Sequence, residues 1–76
     1  MTAERIKSRI NELCTHMTFE YNGKNCGVDP ISHSHFEMWC GENSEVVHSI
    51  NDVMNICLFD GKSLNTIAGD IKIIDF

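Results

Sequence analysis

Met17-Thr-Phe-Glu-Tyr-Asn-Gly-Lys-Asn-Cys-Gly-Val28 is the stretch whose reading decides the fold. Asn22-Gly23 stands between two runs that alternate apolar and polar residues. A two-residue type I′ turn needs positive φ at both central positions and therefore favours Asn-Gly. Closing that turn with Tyr21 opposite Lys24 sets Phe19 against Cys26 and Met17 against Val28. One register then places Met17, Phe19, Tyr21, Cys26 and Val28 on one side, with Thr18, Glu20 and Asn25 on the other. The stretch is a hairpin over about 15–28 whose apolar face must be covered.

Upstream, Ile6, Ile10, Leu13 and Cys14 recur at helical spacing over 2–14, with Arg5, Lys7 and Arg9 on the other side and Thr2 at the N-cap position. Downstream, Asp29-Pro30 breaks the pattern. Proline cannot donate to a ladder, so the second strand is expected to end there or to lie at an edge. A third strand over about 35–40, with His33 as its earliest start, separates Phe36, Met38 and Cys40 from His35, Glu37 and Trp39. The first set joins the hairpin's apolar face. The second carries a tryptophan on a nominally outer face, which suggests cover there by a helix or a partner. Gly41-Glu42-Asn43-Ser44 reads as a turn and Glu45 to His48 as a short fourth strand. Ser49-Ile50-Asn51-Asp52 resembles a capping box for a helix presenting Ile50, Val53, Met54, Cys57 and Leu58. Asp60-Gly61 is expected to end or re-cap that helix, and Lys62 to Ala68 forms a second short helix, stopped at Gly69. Ile71 to Phe76 reads as a terminal strand or a docked tail.

The 76 residues make a single α+β domain near the lower size limit for an unstapled core. The expected architecture is an antiparallel sheet of three to four strands with an N-terminal helix and two C-terminal helices packed on it. No apolar run approaches the ~18 residues a membrane helix needs, and the charged, amphipathic start is unlike a secretory signal. The net charge of −5, with six lysines and arginines, argues against nucleic acid as a partner. Cys14, Cys26, Cys40 and Cys57 form no Cys-x-x-Cys pair and fall on apolar-periodic positions, as small buried hydrophobes do. The expected setting is a reduced cytoplasm.

The sharpest chemical candidate is His33-Ser34-His35. Two histidines at i, i+2 on a strand share a face and can reach one divalent metal, zinc for example, with Glu37, Glu20 or His16 completing the site. The bland alternative is a solvated strand edge after a proline loop. Thiolate–imidazole pairs are opposed by alternation, because Cys40 lies opposite in face to His35, and Cys26 to His16. Gly61-Lys62-Ser63 echoes the end of a P-loop but lacks its first glycine, Ile56 standing in that place. The carboxylates are dispersed, and no spacing defines an acid/base couple.

Phe19-Glu-Tyr-Asn-Gly-Lys, Gly27-Val-Asp-Pro, Asp52-Val-Met and Phe59-Asp-Gly-Lys-Ser-Leu together resemble a group of small uncharacterised bacterial proteins of the Firmicute type. The resemblance covers most of the chain from the hairpin onward, and its motifs are turns, a proline loop and a helix start. It implies no activity, cofactor or site residue. The reading reached from the residues is a non-enzymatic protein–protein interaction module, most simply a homodimer, using Trp39 and Glu37 as its interaction surface. The alternative is a metal-binding module built on His33 and His35.

Overall fold

The computed structural model describes residues 2–12 and 16–75. The chain runs α1 (Ala3–Asn11), β1 (Met17–Tyr21), β2 (Lys24–Ser32), β3 (His35–Cys40), β4 (Asn43–Val47), α2 (Ile50–Asn55), α3 (Leu64–Ile67) and β5 (Lys72–Asp75). The first four strands form an antiparallel meander. The chain then crosses the sheet through α2 and α3 and adds β5 beside β1, giving a five-stranded sheet in the order β4-β3-β2-β1-β5. This is one strand more than expected, because Lys72–Asp75 supplies a paired strand rather than a docked tail.

The Asn22-Gly23 turn sets the register as its chemistry demands. Asn22 has φ 56° and Gly23 φ 78°, and Met17 pairs with Val28, Phe19 with Cys26 and Tyr21 with Lys24. The inner face therefore carries Met17, Phe19, Cys26, Val28, Phe36, Met38 and Cys40, all buried. Ile6 and Ile10 of α1, Val53 and Met54 of α2, and Leu64 and Ile67 of α3 close over them as one core. Full burial of each large apolar side chain contributes about 1.5–3 kcal/mol, and all three helices spend their apolar stripes on this single face. Thr2 caps α1 by accepting from the Arg5 N–H at 3.3 Å, and Ser49 caps α2 by accepting from the Asp52 N–H at 3.1 Å. Leu13 and Cys14, expected to extend the first helix, lie outside the described residues.

Three expectations are corrected. The second strand does not stop at Asp29-Pro30, nor does it lie at an edge: β2 is the central strand and Pro30 pairs with Phe36. Gly41 donates to the Asn25 carbonyl at 2.9 Å, so Asn25–Gly41 is a hydrogen-bonded pair. By alternation along the ladder, Pro30–Phe36 is then a non-hydrogen-bonded one. The imide nitrogen of Pro30 points away from β3, toward a side where the described β1 pairs no further than Val28. The ladder with β3 asks Pro30 for no donor.

The Gly41–Ser44 stretch is not all turn either. Gly41 and Glu42 make the bend, and β4 already begins at Asn43, opposite Cys40.

The third correction concerns the end of α2. The helix stops at Asn55, and Ile56 is extended (φ −65°, ψ 133°), so the helical period does not reach Cys57, which is exposed. Asp60-Gly61 is not a helix cap but a second tight turn. Asp60 has φ 56° and Gly61 φ 79°, and Phe59 and Lys62 exchange backbone hydrogen bonds of 3.0 Å. The two turns meet. Asn22 Nδ2 donates to Asp60 Oδ2 at 2.9 Å, Lys24 Nζ contacts Asp60 Oδ1, and beneath them the rings of Phe19 and Phe59 lie 5.5 Å apart.

Candidate functional site

With every helix on one side, the other side of the sheet is left open among the described residues. Its side chains follow from the register. One row crosses the sheet as Ser44, Trp39, Gly27, Thr18 and Asp75. The row on one side of it holds Val46, Glu37 and Asp29, and the row on the other holds Asn25, Glu20 and Lys72. Trp39 thus stands on this face with Glu37 and Asp29 in the adjoining row, and Glu20 lies two strands away on β1. A shallow groove of about 320 Å³ runs beside it, lined by Glu37, Trp39, Ser44 and Val46 among others.

Trp39 is half-buried on this face without a helix above it. The cover suggested by its apolarity comes from within the sheet. Gly27, its cross-strand partner, has no side chain, and the indole lies in the space left free. A Cβ built on Gly27 would stand 2.2 Å from Trp39 Cζ2 and 2.7 Å from the Met17 carbonyl oxygen. The Cζ2–Cη2 side of the ring thus lies over the Gly27 backbone, and the residue as a whole stays half-buried. An aromatic side chain beside a strand glycine protects the ladder that the glycine leaves bare.

His35 and Glu37 stand where alternation put them, with His35 Nε2 3.5 Å from Glu37 Oε2. His33 lies in the β2–β3 turn, so His35 alone of the two starts from the strand face. His35 lies beside His48, just beyond β4. The two rings are 6.0 Å apart and nearly perpendicular, and His48 Nδ1 is 3.0 Å from the Ser34 carbonyl oxygen. Neither of the two other carriers considered for that cluster comes near. Glu20 pairs with Asn25 and Lys72 toward the far end of the strands, and His16 Nε2 lies 3.7 Å from Asp75 Oδ2. Among the described residues, no three His, Cys, Asp or Glu side chains form a group that could hold a metal ion.

Two features escaped the sequence reading because both depend on the β2–β3 register, which the hairpin alone does not fix. Gly27 falls opposite Thr18 and so shares the outer face with Trp39. Cys26 and Cys40 fall on adjacent strands of the inner face and meet directly, with their Sγ atoms 3.1 Å apart. Burial, followed by the hydrogen bond to Cys40, pushes the Cys26 thiol up to about 12. At the turn contact, the hydrogen bonds from Asn22 and then Lys24 hold the Asp60 carboxyl below its ordinary value, and the bond to Asp60 raises Lys24. No described helix is long and apolar enough to cross a membrane. No family model, curated protein or solved structure matches the chain.

Proposed function

We propose that this chain is a non-enzymatic protein–protein interaction module that docks its partner on the open sheet face around Trp39 and Glu37. The observation that carries this reading is the placement of one large aromatic ring, backed by Gly27, on a face that no helix covers. Tryptophan is enriched among the residues that dominate interface energetics, because it buries a large rigid area at little entropic cost. The surrounding carboxylates specify the partner's chemistry. Glu37 and Asp29 lie in the row beside the ring, with Glu20 farther across the face and Lys72 at the sheet edge, so the complementary surface carries lysine or arginine around an apolar contact. An isologous dimer through this face would set those carboxylates against their copies, which disfavours the simplest homodimer.

The experiment is cross-linking in cells, followed by mass spectrometry, with the wild type beside Glu37→Lys and Trp39→Ala. Glu37 is exposed, so its reversal should leave the melting temperature unchanged while cross-links from this face are lost. If both variants keep the wild-type set of cross-linked partners, the open face is not the docking surface. The rival reading, zinc or another divalent transition ion held by His33 and His35, requires stoichiometric metal in protein purified without an affinity tag. Elemental analysis separates the two.

A further inference from the structure

We propose that Cys26 and Cys40 are a thiol–disulfide modification site, closing to a cross-strand disulfide when a low-molecular-weight disulfide of the glutathione type reaches Cys40. Two observations and the electron balance of the reaction support it. The two residues are direct partners across β2 and β3. Because Asn25–Gly41 is the neighbouring hydrogen-bonded pair, Cys26–Cys40 is a non-hydrogen-bonded pair. Such a pair holds its Cα atoms about 4.5 Å apart, within the ~4.4–6.8 Å a disulfide spans. The sulfurs already lie 3.1 Å apart and need to close by only about 1 Å to reach bonding distance.

The second observation is access. A surface pocket of about 370 Å³ at the β3–β4 turn is lined by Lys24, Cys40, Gly41, Glu42 and Asn43. Cys40 borders this pocket while itself only 1 % exposed, so the pocket marks the side from which a small disulfide approaches, and Cys26 hydrogen-bonds to Cys40 and to the Lys24 carbonyl. Beside Cys40 the methylenes of Lys24 lie over Gly41, whose added Cβ would meet Lys24 Cδ at 3.6 Å.

The pair completes the electron balance without another protein group. Cys40 loses its proton and its sulfur attacks one sulfur of the small disulfide RSSR. That S–S bond breaks, and the leaving thiolate takes a proton to become RSH. The Cys26 sulfur, on losing its proton, attacks Cys40 Sγ and expels the second RS⁻, which is protonated in turn. Two protein S–H bonds become one S–S bond, and the two electrons reduce RSSR to two RSH. Ring closure follows the Cys40 adduct, with burial holding the Cys26 thiol above its ordinary value.

The test equilibrates the full chain with oxidised glutathione, quenches with acid, alkylates under denaturing conditions and maps the peptides. The exposed Cys57 is the internal control, because it accepts glutathione whatever the core does. The expected result is a Cys26–Cys40 linked peptide that dithiothreitol reverses and that Cys14→Ser/Cys57→Ser protein also forms. The oxidised chain should also melt higher, by roughly 10 °C, as a disulfide closing a short loop stabilises a small domain. Alkylation of both Cys26 and Cys40 under conditions that load Cys57 would overturn the proposal. So would a stable glutathione adduct at Cys40 that never closes, or a link that forms only when the chain is unfolded.

Discussion

At the scale of single residues, two glycines of the hairpin do opposite work, and the same substitution separates them. Gly23 sits at φ +78° with open space around its missing side chain, so Gly23→Ala costs backbone strain alone, about 1–2 kcal/mol. Gly27 has no left-handed backbone to protect. Its alanine variant drives a methyl into Trp39 and toward the Met17 carbonyl, and overpacking of this kind costs about 1–3 kcal/mol. Urea titration distinguishes the causes by coupling. In a Trp39→Ala background the Gly27→Ala penalty should shrink but not vanish, because the Met17 oxygen remains 2.7 Å from the new methyl. Additive losses would show that the indole does not occupy the space over Gly27. On the inner face, Phe19 is fully buried against Phe59, and Phe19→Ala should cost about 3–5 kcal/mol. An unchanged melting temperature would contradict the assigned face.

At the scale of elements, what was legible in the sequence was whatever short-range chemistry decides. The Asn22-Gly23 turn, the two faces of β1 and β3, and the caps at Thr2 and Ser49 all follow from neighbours a few residues apart. What failed was decided by distant partners. Pro30 is tolerated in the central strand because it falls at a non-hydrogen-bonded position opposite Phe36 of β3, and nothing near Pro30 in the sequence reports that register. Asp60-Gly61 has the composition of a helix end and of a tight turn alike. The choice is made by Asn22 and Lys24, which arrive from the other hairpin to bond Asp60. The site was legible in the same proportion: alternation put Trp39 and Glu37 on the outer face, but the indole's seat on Gly27 needed the strand pairing.

The contact between the two turns has a testable pH dependence. The folded Asp60 pKa lies below the unfolded value near 3.8, so its contribution is present above that value and lost as pH falls through the folded pKa. Lys24 is shifted upward from 10.5, so its share is present below that value and lost as pH rises through its folded pKa. Asp60→Asn keeps a residue suited to positive φ, and with it the turn, while removing the charge. Its stability should therefore lie below the wild type's at neutral pH and converge with it below pH 3.8. Equal stabilities at neutral pH would show that the Asp60 contact contributes nothing, as exposed ion pairs sometimes do.

At the scale of the whole molecule, one-sided helix packing explains both how the chain folds and what it leaves available. The crossing from β4 through α2 and α3 to β5 covers the apolar face in a single pass, and no described helix remains for the other face. The outer edges of that open sheet are poor templates for self-pairing. β5 has four residues and an irregular register against β1 between Thr18 and Phe19, and β4 has five residues with Glu45 in its middle. Short, irregular and charged edges resist edge-to-edge growth. The net charge of −5 adds a general repulsion between copies. Light scattering at micromolar concentration and low salt should therefore give a mass near 8.6 kDa. Because the opposing force is electrostatic, any self-association should appear only as salt rises and screens it. Glu37→Lys, by removing one carboxylate from the row beside Trp39 and adding a cation, should lower the salt needed. A stable dimer at low salt whose mass ignores both salt and Glu37→Lys would mean that the copies meet elsewhere and that the open face is still free for a basic partner.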